Sequence, residues 1–313
     1  MKLFCPVCTV EKDVEYIGAY KNKNNIFKNK KLFQCQYCKI IFIQPMPTNE
    51  ELEFYYKNIW LIDETISSTS KGAQLTWKIQ ADERLKYLSH HIDLHENMKV
   101  LDIGSGFGYL YDAFKENGYT KISFYATESN PDNLQRLKIK GIKTFPDLVE
   151  IKERDFDLIT VCFVLEHINA PFKFLYSLKE YVKEGGYIFI DVPERDDTFK
   201  PILEPHVAVY TIESLNNLVN KIGLDVVHMT GYGRKRSELI TKQKENKAFL
   251  NIIRTIFSKT LNKISELVSK ENKIKNLYRC YKFNEEGIDR WWIRAILRKP
   301  VMIKDTPPLK KDN

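Results

Sequence analysis

The sequence predicts an α/β protein built on a doubly wound, mainly parallel sheet, and three observations carry this prediction. Strand-like and helix-like segments alternate between residues 99 and 229, which is the pattern of a parallel sheet covered on both faces. The first strand runs directly into a turn with glycines at 104, 106 and 108, and the next strand ends at Glu128. A hydrophobic content of 43% over 313 residues supplies a core for one large or two modest domains.

Six strands follow from apolar runs of strand length, and a hairpin at the end of the domain gives a sheet of seven. The six are Lys99–Ile103, Ile122–Thr127, Lys143–Phe145, Phe156–Cys162, Gly186–Val192 and Val226–Met229. Ahead of them, Thr48 or Asn49 caps a helix that begins near Glu50, and a second helix runs from Leu75 to His91.

Four of the six cysteines form two Cys-x-x-Cys pairs, Cys5 with Cys8 and Cys35 with Cys38. In a reducing compartment such pairs are typical of a metal site, and four thiolates close tetrahedrally on zinc. Because four sulfur ligands leave no open position, the predicted zinc is structural. The 26 residues between the pairs exceed the usual ribbon spacing, and a polar loop over residues 21–31 takes up the excess. Free thiols are the alternative.

The end of the chain is basic. Residues 241–313 hold 18 Lys plus Arg and 8 Asp plus Glu, whereas the net charge of the whole chain is +8. Apolar residues recur at three- and four-residue steps over 249–270, which predicts an amphipathic helix. A second basic patch, Arg290–Lys299, contains two tryptophans of the kind found at membrane interfaces. Three roles stay open: contact with anionic lipid, contact with RNA phosphate, and packing on the domain or in a dimer.

These patterns divide the chain into four parts. We expect a zinc-ribbon module over residues 1–47, a helical segment on the substrate side over 48–98, the sheet domain over 99–240 and a basic helical tail over 241–313. The sequence shows no charged-then-apolar amino-terminal signal and no apolar run long enough to span a bilayer. The expected location is therefore cytoplasmic, with peripheral contact of the tail with the inner face of the membrane as a further expectation.

The glycine turn carries a family resemblance. Asp102–Gly108, with the spacing Asp-x-Gly-x-Gly-x-Gly, resembles the first motif of class I S-adenosylmethionine-dependent methyltransferases, whose fold is Rossmann-like. Three later segments, Phe156–Ile159, Val164–Ile168 and Val182–Gly186, resemble further parts of the same family pattern. The resemblance implies S-adenosylmethionine as cofactor. The residues it assigns to cofactor binding are Asp102, Gly104, Ser105, Gly106, Phe107, Gly108, Glu128, Asp147 and Phe163.

Each of these residue types suits its expected contact. Glycine lets the backbone approach the ligand closely, and the carboxylate of Glu128 can accept hydrogen bonds from both ribose hydroxyls. Asp102 orients the turn or accepts from the amino-acid ammonium. By position in the family pattern, Asp147 is expected near the adenine amine and Phe163 beside the adenosine or methionine part.

The amino-terminal part indicates which members of this family the chain resembles. Its two cysteine pairs, the Pro-x-Pro turn and the segment from Glu51 to Tyr56 look like bacterial methyltransferases that act on sugars of surface polysaccharides. This implies a sugar hydroxyl, or a sugar carbon, of a nucleotide-activated or lipid-linked precursor as the acceptor. The alternatives are an RNA methyltransferase with a zinc module, a quinone-like small-molecule O-methyltransferase, and a non-catalytic membrane-associated binding protein. Nucleic acid is disfavoured because the positive charge is not concentrated near the cysteine pairs.

A hydroxyl acceptor must lose a proton, and imidazole is the side chain whose pKa lies closest to neutral pH. His206 and His167 are the candidate catalytic bases, because each follows a predicted strand at the edge where ligands bind. We expect Glu204 to orient the ring of His206. A divalent-ion site of the Glu-x-x-Glu-His type is disfavoured because Phe163 replaces the first glutamate.

Overall fold

The computed structural model describes residues 1–60, 71–237 and 286–301. Only residues 286–301 of the expected tail are therefore described, and the basic helix expected over 249–270 lies outside the described residues. The helix predicted near Glu50 is present: Thr48 caps it, accepting a hydrogen bond of 3.1 Å from the backbone N–H of Glu51, whose carboxylate in turn accepts from the backbone of Thr48.

The described residues form thirteen strands and six α-helices. The strands are β1 Lys2–Phe4, β2 Glu11–Ala19, β3 Lys31–Cys35, β4 Ile41–Gln44, β5 Lys99–Ile103, β6 Ser123–Thr127, β7 Lys143–Phe145, β8 Phe156–Cys162, β9 Val182–Pro193, β10 Ala208–Val209, β11 Asp225–Lys235, β12 Glu286–Gly287 and β13 Arg290–Arg298. The helices are α1 Asn49–Tyr55, α2 Lys71–His91, α3 Tyr109–Glu116, α4 Pro131–Ile139, α5 Pro171–Leu178 and α6 Ile212–Ile222.

The amino-terminal module is an antiparallel sheet that the main domain completes. Strands β1 to β4 follow one another, and β10 adds a fifth strand at the edge beside β4. Ala208 pairs with Phe42 and Val209 with Ile41. The module over residues 1–47 is therefore joined to the segment that follows β9, and its sheet is not independent of the rest of the chain.

The central sheet has the strand order β12-β11-β13-β9-β8-β5-β6-β7. The five strands from β9 to β7 run parallel, whereas β13, β11 and β12 pair antiparallel. This confirms the predicted mainly parallel α/β sheet, and the bounds of β5, β7 and β8 are those predicted. Seven strands were expected, and the described sheet has eight because the two-residue β12 adds to one edge.

The prediction of a helical tail is wrong for residues 290–298. They form β13, which lies in the interior of the sheet between β9 and β11, with Ile293 paired to Val192 on one side and to Gly231 on the other. Both faces of this strand are covered, so its apolar residues run almost continuously and do not alternate with polar ones. Such a run lacks the alternation of apolar and polar residues that marks a surface strand. The boundary of the expected tail at residue 241 rests on charge, which does not show whether a segment pairs into the sheet. The sheet domain therefore extends beyond 99–240.

Helices cover both faces of the sheet. On one face Leu88, Leu110 and Phe114 from α2 and α3 are buried against the strands, and on the other Leu175 and Leu218 from α5 and α6 are buried. The cysteine-bearing part of the amino-terminal module packs into the same apolar cluster as α5 and α6. This leaves the carboxyl ends of the parallel strands as the edge where side chains can meet a ligand.

Within residues 1–60, 71–237 and 286–301, no helix combines the length and apolar character that crossing a membrane requires.

Candidate active site

The glycine turn after β5 lies at the carboxyl edge of the sheet, where ligands bind in open α/β folds. Gly104, Gly106 and Gly108 have φ of +65°, +55° and +73°. A Cβ at Gly104 would lie 2.6 Å from a methyl carbon of Val164, so this glycine permits tight packing. A Cβ at Gly108 would meet Leu137 at the same distance. A Cβ at Gly106 would meet nothing within 4 Å, so Gly106 alone of the three borders open space that a ligand can enter.

Glu128 holds this turn from the neighbouring strand. Its Oε2 accepts a hydrogen bond of 2.8 Å from the backbone N–H of Gly106, and its Oε1 accepts one of 2.8 Å from the N–H of Asn130. The backbone of Ser105 donates to the carbonyl of Thr127 at 2.9 Å. A carboxylate offers about four acceptor sites, so Glu128 can fix the turn and still accept from a ribose.

Asp102 is buried beneath the turn. Its Oδ1 accepts a hydrogen bond of 2.6 Å from the hydroxyl of Thr160 on β8. Burial raises the pKa of this carboxyl above its ordinary value, while the bond from Thr160 and the charge of Arg84 oppose the rise. The bond ties β5 to β8 beneath the turn, and the two roles expected for Asp102 both stay predictions.

Arg84 and Asp191 form a buried ion pair that the sequence did not reveal. Nε of Arg84, on α2, donates to Oδ2 of Asp191 at 2.8 Å, at the carboxyl end of β9. Within the described residues, Nη2 of Arg84 and Oδ1 of Asp191 are buried and have no hydrogen-bond partner. The guanidinium also lies over the ring of Phe163, 4.6 Å from its centroid. One free donor and one free acceptor suit the carboxylate and ammonium of an amino acid.

Phe163 and Phe107 flank this region from two sides. Phe163 has a φ of +56°, which is rare for a bulky residue and is held by a backbone hydrogen bond of 2.8 Å to Asp191. Phe107 stacks on Trp77 of α2, with ring centroids 5.3 Å apart and an angle of 15° between the planes. Asp147 is exposed after β7, and its Oδ1 accepts from the backbone of Val149 at 3.2 Å. The second oxygen of Asp147 stays available to the adenine amine expected there.

His206 is buried in the loop between β9 and α6. Its Nδ1 lies 2.6 Å from Oδ2 of Asp196, and Nζ of Lys200 lies 3.5 Å from its Nε2. Lys200 also pairs with Oδ2 of Asp196 at 3.2 Å. Neutral imidazole can donate only one N–H, so the arrangement fits an Nδ1–H donated to Asp196 and a lone pair on Nε2.

The expectation that Glu204 orients His206 is wrong. Oε2 of Glu204 accepts from the backbone N–H groups of Lys23 and Asn24, at 2.8 and 2.9 Å, and so holds the loop to the amino-terminal module. The residue that positions the ring is Asp196, ten residues before His206 on the same loop. The prediction chose Glu204 because it is close to His206 in sequence. The loop instead folds back so that Asp196 lies next to the His206 ring.

His167 lies beside His206, with ring centroids 4.8 Å apart and the rings nearly perpendicular. Tyr56, which follows α1, packs edge-on against His167 at 6.0 Å. The preceding residue, Glu166, is buried, and its Oε2 has no hydrogen-bond partner within the described residues. The structure thus brings both predicted histidines together and adds Glu166, Asp196, Lys200 and Tyr56 to the site.

Burial sets the charge states here. It raises the pKa of Glu166 to about 8 and lowers the pKa of His167 well below its usual value. It also lowers the pKa of His206 below 6.5, although Asp196 opposes this. For Asp196 burial raises the pKa, but the charges and hydrogen bonds of His206 and Lys200 outweigh it and lower the pKa to about 2. At neutral pH the site therefore holds a neutral His206 beside an ionised Asp196.

Glu166, His167 and His206 place one ligand atom each within 4.8 Å of one another. This set has a single carboxylate, so it lacks the oxygen-rich donors that Mg²⁺ and Ca²⁺ prefer. The ammonium of Lys200, 3.5 Å from Nε2 of His206, would also repel a cation. Phe163, at the position expected for a further carboxylate, packs on Arg84 instead. The set therefore does not fit Mg²⁺ or Ca²⁺, and the charge of Lys200 disfavours any cation beside His206.

The four amino-terminal cysteines converge in the buried part of the module. Sγ of Cys5 lies 3.5 Å from Sγ of Cys38, and Sγ of Cys8 lies 3.8 Å from Sγ of Cys35. A tetrahedral site with Zn–S of about 2.3 Å needs sulfurs about 3.8 Å apart, so the set fits zinc. The hydrogen bond from Cys38 lowers the pKa of the Cys5 thiol to about 5, which favours a thiolate.

Comparison with known proteins identifies the kind of domain that carries this site. Residues 78–229 match the family model Methyltransf_23, a methyltransferase domain. The chain therefore carries a class I S-adenosylmethionine-dependent methyltransferase domain, and the enzyme class predicted from the sequence is confirmed for this domain.

Curated relatives match only part of the chain. A ubiquinone biosynthesis O-methyltransferase of Hydrogenovibrio crunogenus is 26% identical over 136 residues, which cover 40% of this chain and 53% of the relative. Its counterpart in Coxiella burnetii is 29% identical over 119 residues, or 36% of this chain and 50% of the relative. A tRNA U34 carboxymethyltransferase of Pseudoalteromonas atlantica is 27% identical over 132 residues, or 38% and 39%. The chain thus spans about half the length of the first two relatives.

Solved structures share the fold. The plantazolicin methyltransferase BamL, in complex with a triazolic desmethylPZN analog and SAH, superposes with a TM-score of 0.50 at 14% identity. The match covers 80% of this chain and 95% of BamL. At this identity the likeness shows the fold alone.

Proposed function

We propose that the protein transfers a methyl group from S-adenosylmethionine to a hydroxyl oxygen of a small-molecule acceptor, with His206 as the proton acceptor. The observation that carries the proposal is the pair of His206 and Asp196, 2.6 Å apart, on the loop that follows β9. Bound S-adenosylmethionine would supply an activated methyl group on a sulfonium. The residues proposed to hold it are Arg84, Gly106, Glu128 and Asp191.

The chain's own task is to place the acceptor and take its proton. As the acceptor oxygen took the methyl group from the sulfonium, which would leave as a neutral thioether, its hydroxyl proton would pass to Nε2 of His206. Asp196 holds Nδ1–H and stabilises the imidazolium that results. The ammonium of Lys200, beside Nε2, favours negative charge developing on the acceptor oxygen.

The pKa of His206 helps to choose between acceptor classes. Because burial lowers that pKa below 6.5, the imidazole is a weak base. A phenolic hydroxyl has a pKa of about 10, as in tyrosine, whereas an alcohol is closer to water at about 15.7. Proton transfer from a phenol is therefore far less unfavourable, which supports a phenolic, quinone-like acceptor.

Aromatic rings near the site agree with a planar acceptor. Phe163 and Trp292 have ring centroids 6.0 Å apart, and Trp292 stacks on Trp291 at 5.0 Å. Trp291 in turn meets Phe199, on the loop of His206, at 6.1 Å. This series of rings runs from Phe163 to the loop that carries His206. The relatives named as ubiquinone biosynthesis O-methyltransferases support the same acceptor class.

A sugar hydroxyl, which the resemblance of the amino-terminal part implies, is the second acceptor class. The observation in its favour is direct contact of the amino-terminal module with the loop of His206, where Nζ of Lys21 donates to the carbonyl of Asp197 at 2.5 Å. We also propose that Cys5, Cys8, Cys35 and Cys38 hold one structural zinc ion in that module.

Methyl-labelled S-adenosylmethionine separates these possibilities. The protein is incubated in parallel with catechol-type phenols, a nucleotide-sugar mixture and total RNA, and label is measured in each. Label on phenols that is lost in His206→Gln and kept in the exposed control His95→Gln supports the proposal. Label only on nucleotide sugars would make a sugar hydroxyl the acceptor. Label only in RNA would overturn both the phenolic and the sugar acceptor.

A further inference from the structure

We propose a second metal site, outside the cofactor and acceptor region, formed by His91, His228 and Glu286. It would take a divalent transition ion such as Zn²⁺ or Ni²⁺. The three residues come from three elements: His91 ends α2, His228 lies in β11, and Glu286 lies in β12. One ligand atom from each lies within 4.8 Å of the other two.

The distances from the two histidines to Glu286 are close to what coordination requires. Nε2 of His228 lies 3.2 Å and Nε2 of His91 lies 3.9 Å from the two oxygens of Glu286. Ligands about 2.0 to 2.1 Å from a tetrahedral ion are about 3.3 Å apart, so one distance already fits and the other needs a shift of about 0.6 Å. Nitrogen and carboxylate donors with open remaining positions are typical of Zn²⁺ and Ni²⁺, and Mg²⁺ or Ca²⁺ would require more oxygen.

The two imidazoles pack against each other and against Tyr87. The rings of His91 and His228 stack with centroids 4.1 Å apart and 18° between their planes. Tyr87, one turn earlier on α2, contacts His91 at 4.7 Å and His228 at 5.8 Å. Nε2 of His91 is buried and makes no hydrogen bond within the described residues. Because the rings are nearly parallel, their Nε2 lone pairs lie side by side, and both rings must turn about the Cβ–Cγ bond for one ion to satisfy both nitrogens.

The site is separate from the methyltransferase centre. His91 lies seven residues beyond Arg84 on α2, about 10 Å along the helix axis. His228 pairs with Ile296, which pairs with Phe189 inside the sheet and not at its carboxyl edge. An ion here would tie the end of α2, the helix that carries Arg84 and Trp77, to the antiparallel edge of the sheet.

The test uses full-length protein whose four-cysteine site has first been saturated with Zn²⁺. Ni²⁺ is then added in equilibrium dialysis, and bound metal is counted by elemental analysis. We expect one further equivalent of Ni²⁺ in the parent protein and in His90→Gln, a control at the neighbouring helix position. We expect its loss in His228→Gln and, independently, in Glu286→Gln at the exposed edge strand, where the substitution is least disruptive to folding.

A second readout is the melting temperature, which Ni²⁺ should raise in the parent and in His90→Gln but not in His228→Gln. Circular dichroism of each variant without added metal checks the fold. No Ni²⁺ bound beyond the zinc, or a further equivalent that is lost in His206→Gln and kept in His228→Gln and Glu286→Gln, would overturn the proposal.

Discussion

The hydroxyl of Tyr20, in the amino-terminal module, donates a hydrogen bond of 2.9 Å to the carbonyl oxygen of His206, which lies 186 residues further along the chain. The same loop is held by Glu204, whose carboxylate accepts from the backbone of Lys23 and Asn24. The backbone N–H of Leu203 also donates to the carbonyl of Lys21 at 2.8 Å. The module therefore fixes the position of the proposed base.

Tyr20→Phe removes this bond and leaves the ring in place. A buried hydrogen bond contributes about 1 kcal/mol, so we expect kcat to fall several-fold while the Kd for S-adenosylmethionine stays the same. Steady-state kinetics and calorimetry measure the two quantities. Tyr16→Phe, at an exposed tyrosine of the same module, is the matched control and should change neither. Unchanged kcat in Tyr20→Phe would mean that the loop keeps its place without the module's help.

Gly106→Ala tests the cofactor pocket. Gly106 and Gly118 both have positive φ, at +55° and +94°, and a Cβ at either position would meet nothing within 4 Å. Alanine in this conformation costs roughly 1–2 kcal/mol of stability at each site. Only at Gly106 should the methyl group enter space needed by the ligand, so calorimetry should show weaker S-adenosylmethionine binding there and normal binding in Gly118→Ala. Equal affinities would contradict the pocket assignment.

His206→Ala should lower turnover by roughly 10² to 10⁴ and leave cofactor affinity unchanged, since a general base acts on the acceptor alone. His167 lies closer to the turn after β8, so we expect its replacement to change cofactor binding and turnover together. Rapid-quench kinetics with the identified acceptor and calorimetry with the cofactor distinguish the two residues. Near-parental turnover of His206→Ala would reassign the base.

The pH profile follows from the direction of the His206 shift. The base must be neutral, and its pKa lies below 6.5, so kcat/KM should be level above pH 6.5 and fall as the pH drops through that pKa. The charge of Lys200 contributes to lowering the pKa. Lys200→Met should therefore raise the pKa and move the acid limb of the profile to higher pH. A shift in the opposite direction would contradict the placement of the ammonium beside Nε2.

Removal of the proposed zinc should affect the loop of His206 as well as the amino-terminal module. Cys35→Ser should lower the zinc content below one equivalent, measured by elemental analysis, because the remaining three thiolates bind the ion less tightly. We expect turnover to fall with the zinc content, since β4 and Tyr20 hold the His206 loop. A full equivalent of zinc in Cys35→Ser would show that the cysteines are not the ligands.

Features that depend on residues close together in the chain could be predicted from the sequence. The spacing of the glycines after β5 predicted the turn, and Glu128, directly after β6, was predicted as a ribose acceptor. The hydrogen bond from Gly106 to Glu128 that joins them is a finding of the structure. Thr48, one of the two caps considered, predicted the start of α1 because capping is a local exchange of hydrogen bonds. The parallel strands were found because a run buried on both faces is continuously apolar over strand length.

What only the tertiary structure decided involves partners far apart in the chain. Pairing of β13 with β9 and β11 places Arg294 in the core beside Asp191, at 3.4 Å, and no local period marks a strand that arrives about a hundred residues after its neighbour. The Arg84–Asp191 and Tyr20–His206 contacts likewise join residues far apart in the chain, and no local pattern indicates them. The sequence by itself determined the class of domain and the position of its glycine turn, because those depend on backbone conformation. The tertiary structure decided which acid positions His206, because a buried charge is matched by whichever partner the fold brings within hydrogen-bond reach.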